Sequence, residues 1–333
     1  MTRRGLLFAA ALLLLAAPPP LAADDCEIQG AARIVAVGDV HGAYDSFVAI
    51  LRAAGVIDEK QRWSGGRTRL VQLGDVVDRG PDSRKALDLL RRLEKEAERA
   101  KGAVHALLGN HEVMWMLGDL RYVSKGEYAA FTTRDSEAVL ERQLERAKPE
   151  MRDELRKQTP LGYVELNRAL APEGEYGKWL RGHDAVVKID GVLFLHGGIS
   201  PAVAATPCAE INATVRREIT EELKQTRSAP LKSLAGREDG PLWYRGLAQE
   251  PDSFEPQVEQ ILQAQGARAI VIAHTPAPGG RIKTHFGGRV FQIDTGMLTS
   301  YVPDGRASAL EIKDGTFTAI YLDRREVVHS TVP

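Results

Sequence analysis

Five points along the chain place side chains that can hold hard metal ions. Four are short motifs: Gly38-Asp39-Val40-His41-Gly42, Gly74-Asp75-Val76-Val77-Asp78-Arg79-Gly80, Gly109-Asn110-His111-Glu112 and His196-Gly197-Gly198. The fifth is a lone histidine in Ile272-Ala273-His274. Carboxylate oxygen, amide oxygen and imidazole nitrogen together suit divalent first-row ions. Two such ions about 3.5–4 Å apart can share a water or hydroxide, lower its pKa toward neutrality and direct it in line at phosphorus.

The residue types then divide by role. Asp39 and His41 are two residues apart, so extended backbone turns both to one side and one ion can take both. Asp75 can bridge two ions with one carboxylate. Asn110, His196 and His274 can complete the second ion. His111 adjoins Asn110 and is placed to act as general acid toward a leaving alkoxide. Asp78 can hold that imidazole in its cationic form, because a nearby carboxylate raises its pKa. Arg79 can neutralise phosphoryl oxygens with a bidentate fork. Arg245 lies in Gly240-Pro241-Leu242-Trp243-Tyr244-Arg245-Gly246, where Gly, Pro and paired aromatics mark a shaped loop. It could close a phosphate clamp, though taken alone it is a loop arginine. His105 reads as interior packing or polar satisfaction. His183, His285 and His329 have no motif around them and read as structural or surface residues.

Each donor follows a run that reads as a strand. Arg33–Val37, Leu70–Leu73 and Val104–Leu108 are short apolar runs ending at Gly-Asp, Gly-Asp and Gly-Asn. Between them, 46–54 has helical spacing and Ser83–Arg99 is an amphipathic helix opened by Pro81-Asp82-Ser83. This alternation predicts an α/β layered fold. Val186–Ile189 and Val192–Leu195 are expected to form a hairpin, since Asp190-Gly191 favours the mirror-image turn. Asn212–Gln225 reads as a helix and Ala269–Ala273 as a strand delivering His274. From Arg289 on, alternating strands at 290–293, 309–312 and 316–322 are expected to form an antiparallel sheet beside the first. Residues 117–177 are charged and helical, densest from Arg142 to Glu154, and carry no further motif. They are read as an inserted helical cap over the site.

The chain has 333 residues with a hydrophobic share of 44% and a charged share of 27%, ordinary for a globular protein. A net charge of -1 gives no electrostatic reason to expect nucleic acid or a membrane surface as partner. Arg3 and Arg4, the apolar run Gly5–Ala17, Pro18–Pro20 and the small residues Leu21-Ala22-Ala23 read as a secretory signal peptide over residues 1–23. The run falls short of the roughly 20 apolar residues of a spanning helix. The mature domain is then 24–333, periplasmic or secreted, with no membrane association after cleavage, and a monomer is expected. Cys26 and Cys208 are the only cysteines. Outside the cytoplasm they can pair, and the sequence leaves open whether they do.

With these residues in place, the chain resembles the phosphoprotein phosphatases within the calcineurin-like metallophosphoesterases. It matches their GDxHG, GDxVDRG, GNHE and HGG pattern in full, over roughly Arg33 to Tyr321. The fuller resemblance is to the bacterial-type Shewanella-like protein phosphatases, through the stretch from His183 to Ser200, Pro241-Leu242-Trp243-Tyr244-Arg245-Gly246 and Ile293-Asp294-Thr295-Gly296-Met297. The resemblance implies a β-sandwich flanked by helices with a dimetal site at its edge. Asp39, His41 and Asp75 would hold one ion; Asp75, Asn110, His196 and His274 the other. His111 with Asp78 would be the acid pair, and Arg79, Arg245 and Asn110 would contact phosphate. The ions would be manganese, with iron or zinc as alternatives. The stretch between Glu112 and His196 is longer than in the eukaryotic serine/threonine enzymes, so their substrate grooves do not transfer.

Four functions compete. A protein phosphatase would act on phosphotyrosine, phosphoserine or phosphothreonine. A broad exported phosphomonoesterase fits the export signal. A dinucleoside polyphosphate hydrolase shares the scaffold but usually carries Ala where Asp78 stands. A non-catalytic binding scaffold would have no need of the complete ligand and acid set.

Overall fold

The computed structural model describes residues 26–222 and 233–331. The expected signal peptide lies outside these residues, as does the end of the helix expected at Asn212–Gln225. Two six-stranded sheets pack face to face. One runs in the order β1 (Glu27–Ile28), β5 (Val186–Ile189), β6 (Val192–Leu195), β7 (Ala269–Ile272), β9 (Val290–Gln292), β8 (Lys283–His285). The other runs β12 (Arg325–Ser330), β11 (Thr316–Tyr321), β10 (Ser308–Lys313), β2 (Ile34–Val37), β3 (Arg69–Gln72), β4 (Ala103–Ala106).

The alternation of side chains along a strand assigns each face. In β2, Ile34 and Ala36 join the core between the sheets, while Val35 and Val37 join the layer on the outer face. In β6, Val192 and Phe194 point inward, Leu193 and Leu195 outward. Both faces are covered, which is why these strands read as unbroken apolar runs. Phe291 of β9 stacks on Phe317 of β11 with centroids 4.3 Å apart, joining the two sheets across the core. Burial alone makes each such ring worth roughly 1.5–3 kcal/mol.

Helices form the outer layers. Apolar residues of α1 (Tyr44–Ala53) and α2 (Ser83–Arg99), among them Phe47, Leu51, Leu87, Leu90 and Leu93, share the outer cluster with Val35, Val37 and Leu70. On the opposite side, residues of the C-terminal helices join Val186, Leu193 and Ile270. The segment expected as an insertion begins at the end of α3 (Asn110–Leu117) and contains α4 (Lys125–Ala130), α5 (Ser136–Leu144), α6 (Arg152–Gln158), α7 (Tyr163–Leu170) and α8 (Glu175–Leu180). Val139, Leu140 and Leu144 of α5 are buried, as are Val164, Leu166 and Leu170 of α7, so these two helices pack on each other. Then come α9 (Cys208–Arg217), α10 (Gly246–Gln249) and α11 (Glu255–Gln265). Among the described residues no helix is long and apolar enough to cross a membrane.

Three expectations need correction. The C-terminal strands β10 to β12 do not make a separate sheet: β10 pairs antiparallel with β2, Leu310 opposite Ala36, and so extends the sheet of β2, β3 and β4. Strand β9, expected among them, instead pairs parallel with β7 in the other sheet. Alternation reports which face of a strand is buried, not which strand lies beside it. The helix expected from Asn212 begins earlier, at Cys208 directly after Pro207, whose fixed φ suits a helix start. The hairpin is as expected: Asp190 and Gly191 both have positive φ, 48° and 74°, as the mirror-image turn requires.

Cys26 and Cys208 are joined in a disulfide across 182 residues, with Cα atoms 6.2 Å apart. The bridge pins the chain entering edge strand β1 to the start of α9. Long loops gain most from closure, so Cys208→Ser is expected to lose about 2–4 kcal/mol of stability. Urea denaturation of the two proteins would show it, and coincident curves would mean the bridge does not contribute.

Candidate metal centre and phosphate site

Strands β2, β3 and β4 run parallel, and so do β6, β7 and β9. Their carboxyl ends therefore meet at one edge of the sandwich. Asp39 follows β2, Asp75 follows β3, Asn110 follows β4, His196 follows β6 and His274 follows β7. Two close backbone approaches draw the loops together. A side chain at Gly74 would collide with the backbone of Gly109, its Cβ 2.3 Å from the Gly109 nitrogen. A side chain at Gly80 would meet the carbonyl oxygen of His41 at 2.3 Å. The second motif thus abuts both the first and the third.

The cost appears in the backbone. Of ten non-glycine residues with positive φ among the described ones, five are His41, Asp75, Asp78, Arg79 and His274. Each such conformation costs about 1–3 kcal/mol and persists only where its surroundings enforce it. Glu112 is part of that enforcement: its buried carboxylate accepts the backbone N–H groups of Gly109, Asp75 and Val76, each at 2.8 Å.

Two sets of donor atoms result. His196 Nε2 lies 3.1 Å from Asp75 Oδ2, 3.0 Å from Asn110 Oδ1 and 3.1 Å from His274 Nδ1. His41 Nε2 lies 3.6 Å from Asp39 Oδ2 and 3.7 Å from the same Asp75 Oδ2. Asp75 is therefore common to both sets, as its expected bridging role demands. The rings are pre-oriented by carbonyls, which can only accept: His41 Nδ1–H donates to Val77 O at 2.8 Å and His196 Nδ1–H to Leu73 O at 2.7 Å. That leaves both Nε2 lone pairs facing the carboxylates. Burial holds the His41 imidazole down to about 3, in the neutral form that coordinates.

The residues fit two cations. Asp39, Asp75, Glu112 and Asp294 are four buried carboxylates in one cluster. Burial, with Asp294 and Asp75 beside it, pushes the Asp39 carboxyl well above its usual range. Burial likewise pushes Asp294 up to about 6. Crowding of buried carboxylates of this kind is relieved when cations occupy the site. His274 Nε2 is a buried ring nitrogen with no hydrogen-bond partner.

The acid pair and the cationic groups stand beside these donors. Asp78 Oδ2 accepts from His111 Nδ1–H at 2.6 Å, and Asp78 Oδ1 accepts from Trp115 Nε1–H at 2.6 Å. Burial opposes charging of His111, but Asp75 and Asp78 outweigh it and raise its pKa. His111 Nε2 also lies 3.9 Å from Asp75 Oδ2, but Arg79 Nη2 is nearer at 3.4 Å, so this face of the ring looks toward a cation and the space an anion would fill. The Arg79 guanidinium rests on the Tyr301 ring, 3.7 Å from its centroid, and lies near Tyr122. Its Nε has no partner. Arg245 is braced by the carbonyl of His274 and the hydroxyl of Thr275, both accepting from Nη1 at 2.9 Å.

Asp39, His41, Asp75, Arg79, Asn110, His111, Arg245 and His274 all line one cavity of about 820 Å³; His196 and Asp78 stand behind its wall. The insertion reaches this cavity only through its start, up to Tyr122, and through Tyr163. Its charged middle, Arg142–Glu154, lines none of it. Of the four motif-free histidines, His329 packs edge-on against Phe291 and Phe317, His285 bonds Gln292, and His183 approaches Glu94. His105 has Nε2 without a partner, so the polar satisfaction expected for it is not complete.

Three residues join the site without a role assigned from sequence. Asp294 lies in the Ile293–Met297 segment and comes from the end of β9, a further strand-then-Asp step like those of Asp39 and Asp75. Glu112 belongs to the Gly-Asn-His-Glu motif. Tyr301 had no signal.

A family model described as calcineurin-like phosphoesterase matches residues 32–278. The chain belongs to this family and is a hydrolase of phosphate esters. It is 31% identical to Shewanella-like protein phosphatase 2 of Arabidopsis thaliana over 301 residues, 84% of this chain and 75% of that one. It is 29% identical to Shewanella-like protein phosphatase 1 of Plasmodium berghei over 280 residues, 82% and 70% of the two chains. The solved cold-active protein-tyrosine phosphatase of a psychrophilic Shewanella superposes with a TM-score of 0.72 at 27% identity, covering 91% of this chain and 82% of that one.

Proposed function

We propose that the protein is a phosphoprotein phosphatase that hydrolyses phosphomonoesters of tyrosine, serine or threonine. The observation that carries this reading is the Asp78–His111 pair facing Arg79 across the cavity that the donor cluster floors. Two divalent ions, manganese in this reading, would supply Lewis acidity and a water of lowered pKa when held by Asp39, His41 and Asp75 and by Asp75, Asn110, His196 and His274. The rest falls to the chain's own groups. Arg79, Arg245 and the Asn110 amide hold the non-bridging phosphoryl oxygens. Water adds to phosphorus, the bond to the ester oxygen breaks, and His111 Nε2–H delivers its proton to that oxygen. Asp78 keeps the Nδ1–H of the same ring engaged, fixing its orientation.

A phosphorylated protein suits the cavity better than a nucleotide does. Tyr122, Tyr163, Trp243 and Tyr301 line the cavity, where in this reading they pack against the phosphorylated side chain and the residues beside it. The named relatives that run along most of the chain are protein phosphatases. In this reading residues 1–23 direct export, the mature domain works as a periplasmic or secreted monomer, and the segment 117–177 acts as a cap through Tyr122 and Tyr163.

Manganese-loaded protein from residue 24 onward should be offered phosphotyrosine, phosphoserine and phosphothreonine peptides, a nucleoside monophosphate and a dinucleoside polyphosphate. A preference of about tenfold or more in kcat/KM for peptides is expected. Equal turnover of the small esters would make the enzyme a broad phosphomonoesterase instead. Tyr163→Ala is expected to lower the peptide-to-small-ester ratio about threefold to tenfold, because it removes an apolar wall from the substrate and no group from the chemistry. An unchanged ratio would deny the cap its part in selection.

A further inference from the structure

Three successive residues of the second motif are each hydrogen-bonded to one residue at the start of the insertion. Asp78 N–H donates to Glu127 Oε1 at 2.9 Å. Arg79 N–H donates to the carbonyl of Tyr122 at 2.9 Å. The carbonyl of Gly80 accepts from the Ser124 hydroxyl, also at 2.9 Å. The two peptide segments thus lie against each other like a short strap, 43 to 49 residues apart in sequence.

Glu127 is the least expected member. It is 1% exposed, in a helix of a charged insertion. A buried carboxylate destabilises unless its oxygens are used. Here Oε2 accepts Ser124 N–H at 2.8 Å and closes a capping box on α4, while Oε1 takes both the Asp78 N–H and the Ser83 hydroxyl. A capping box needs only the first of these bonds. The bond to Asp78 does something else.

Asp78 and Arg79 both sit at positive φ, 72° and 70°. Neither is glycine, so this conformation relaxes unless it is held. The Glu127 bond fixes the peptide plane on the N-terminal side of Asp78. Trp115 Nε1–H and His111 Nδ1–H fix the two side-chain oxygens. Asp78 is therefore gripped at three points, and one of the three is supplied by the insertion.

We infer that Glu127 is a positioning residue for the general acid: it acts through Asp78 to hold His111 in line with the leaving oxygen, and so ties the insertion to the chemical step as well as to the cavity wall. The inference rests on the phosphomonoesterase reading above. It predicts an effect confined to the leaving group. A general acid matters most when the departing oxygen is a strong base, and little when the leaving group departs unaided.

The test compares p-nitrophenyl phosphate, which has a good leaving group, with phenyl phosphate, which has a poor one. In manganese-loaded Glu127→Ala, kcat on phenyl phosphate should fall about tenfold to a hundredfold, and on p-nitrophenyl phosphate less than about threefold, with KM little changed. Glu127→Gln keeps one oxygen, which can stay with the Asp78 N–H while the Ser124 N–H loses its acceptor, and should hold the ratio closer to wild type than Glu127→Ala does. Ser124→Ala, which removes the neighbouring bond to Gly80 and the α4 cap, should shift the ratio the same way by a smaller factor; it is the variant to use if Glu127→Ala does not fold. Ser136→Ala cuts the Ser136–Glu165 bond inside the insertion and should leave both rates alone. Equal losses on the two esters in Glu127→Ala and Ser124→Ala would overturn the inference and leave Glu127 a structural cap. A wild type that cleaves neither ester would instead sink the reading on which it rests.

Discussion

Replacing His111 by Ala is expected to lower kcat by about a hundredfold to ten-thousandfold while leaving the metal content intact. The imidazole stands close to the donors, with Nε2 3.9 Å from Asp75 Oδ2, and His41, Asp75 and His111 together could hold an ion, so metal content decides between acid and ligand. The His111 Nδ1–H is committed to Asp78 at 2.6 Å and its Nε2 faces Arg79. The backbone N–H of His111, which donates to Asp75 Oδ1 at 3.0 Å, survives the substitution, so the bridging carboxylate keeps that anchor. What is lost is the proton for the leaving oxygen. Truncation also strands Asp78 Oδ2 in a buried position, which costs roughly 1–3 kcal/mol of stability. Kinetics should therefore be read at a temperature well below unfolding, with metal measured by elemental analysis on the same sample. A variant that keeps two ions and its full turnover would remove His111 from the mechanism. One that loses its ions would show the ring to be a ligand.

Stripping the protein with a chelator is expected to lower turnover by about a thousandfold or more, and manganese should restore it. The same loading should raise thermal stability. Four buried carboxylates share one cluster, and burial together with their mutual repulsion pushes Asp39 and Asp294 upward, a cost that bound cations offset. Linkage sets the scale: an ion present at a hundred times its Kd adds about 2.7 kcal/mol. Asp75→Asn should lose most of this gain, because Oδ2 of that residue serves both donor sets. If manganese left the melting temperature of the wild type unmoved, the cluster would not be a cation site.

The candidate donors of this site were legible in the sequence because each is local to its own strand. Asp39, Asp75, Asn110, His196 and His274 each stand within a few residues of an apolar run, and a run followed by Gly-Asp, Gly-Asn or His is visible without knowing what packs beside it. Helix α2 was legible to the residue, since a 3.6-residue apolar period and a Pro-Asp-Ser start are likewise properties of one segment. The disulfide was half legible: two cysteines gave one possible pair, and only the fold brings them together.

Which atoms could serve cations, in which order, and on what kind of element, follows from the local residue pattern alone. Tertiary structure decided what those elements lie against. Strands β10 to β12 alternate as any half-buried strands do, and nothing in that period tells that β10 lies against β2. Asp294 enters the carboxylate cluster because β9 runs parallel to β7, a pairing its own residues do not encode. Glu127 looks like a capping glutamate in a charged insertion until the fold sets it against the backbone of Asp78, 49 residues away. Periodicity and motifs report each residue's relation to its own backbone, over a few residues. The partner across a sheet or under a loop is chosen by the packing of the whole chain, where many weak contacts of large sequence separation are satisfied at once.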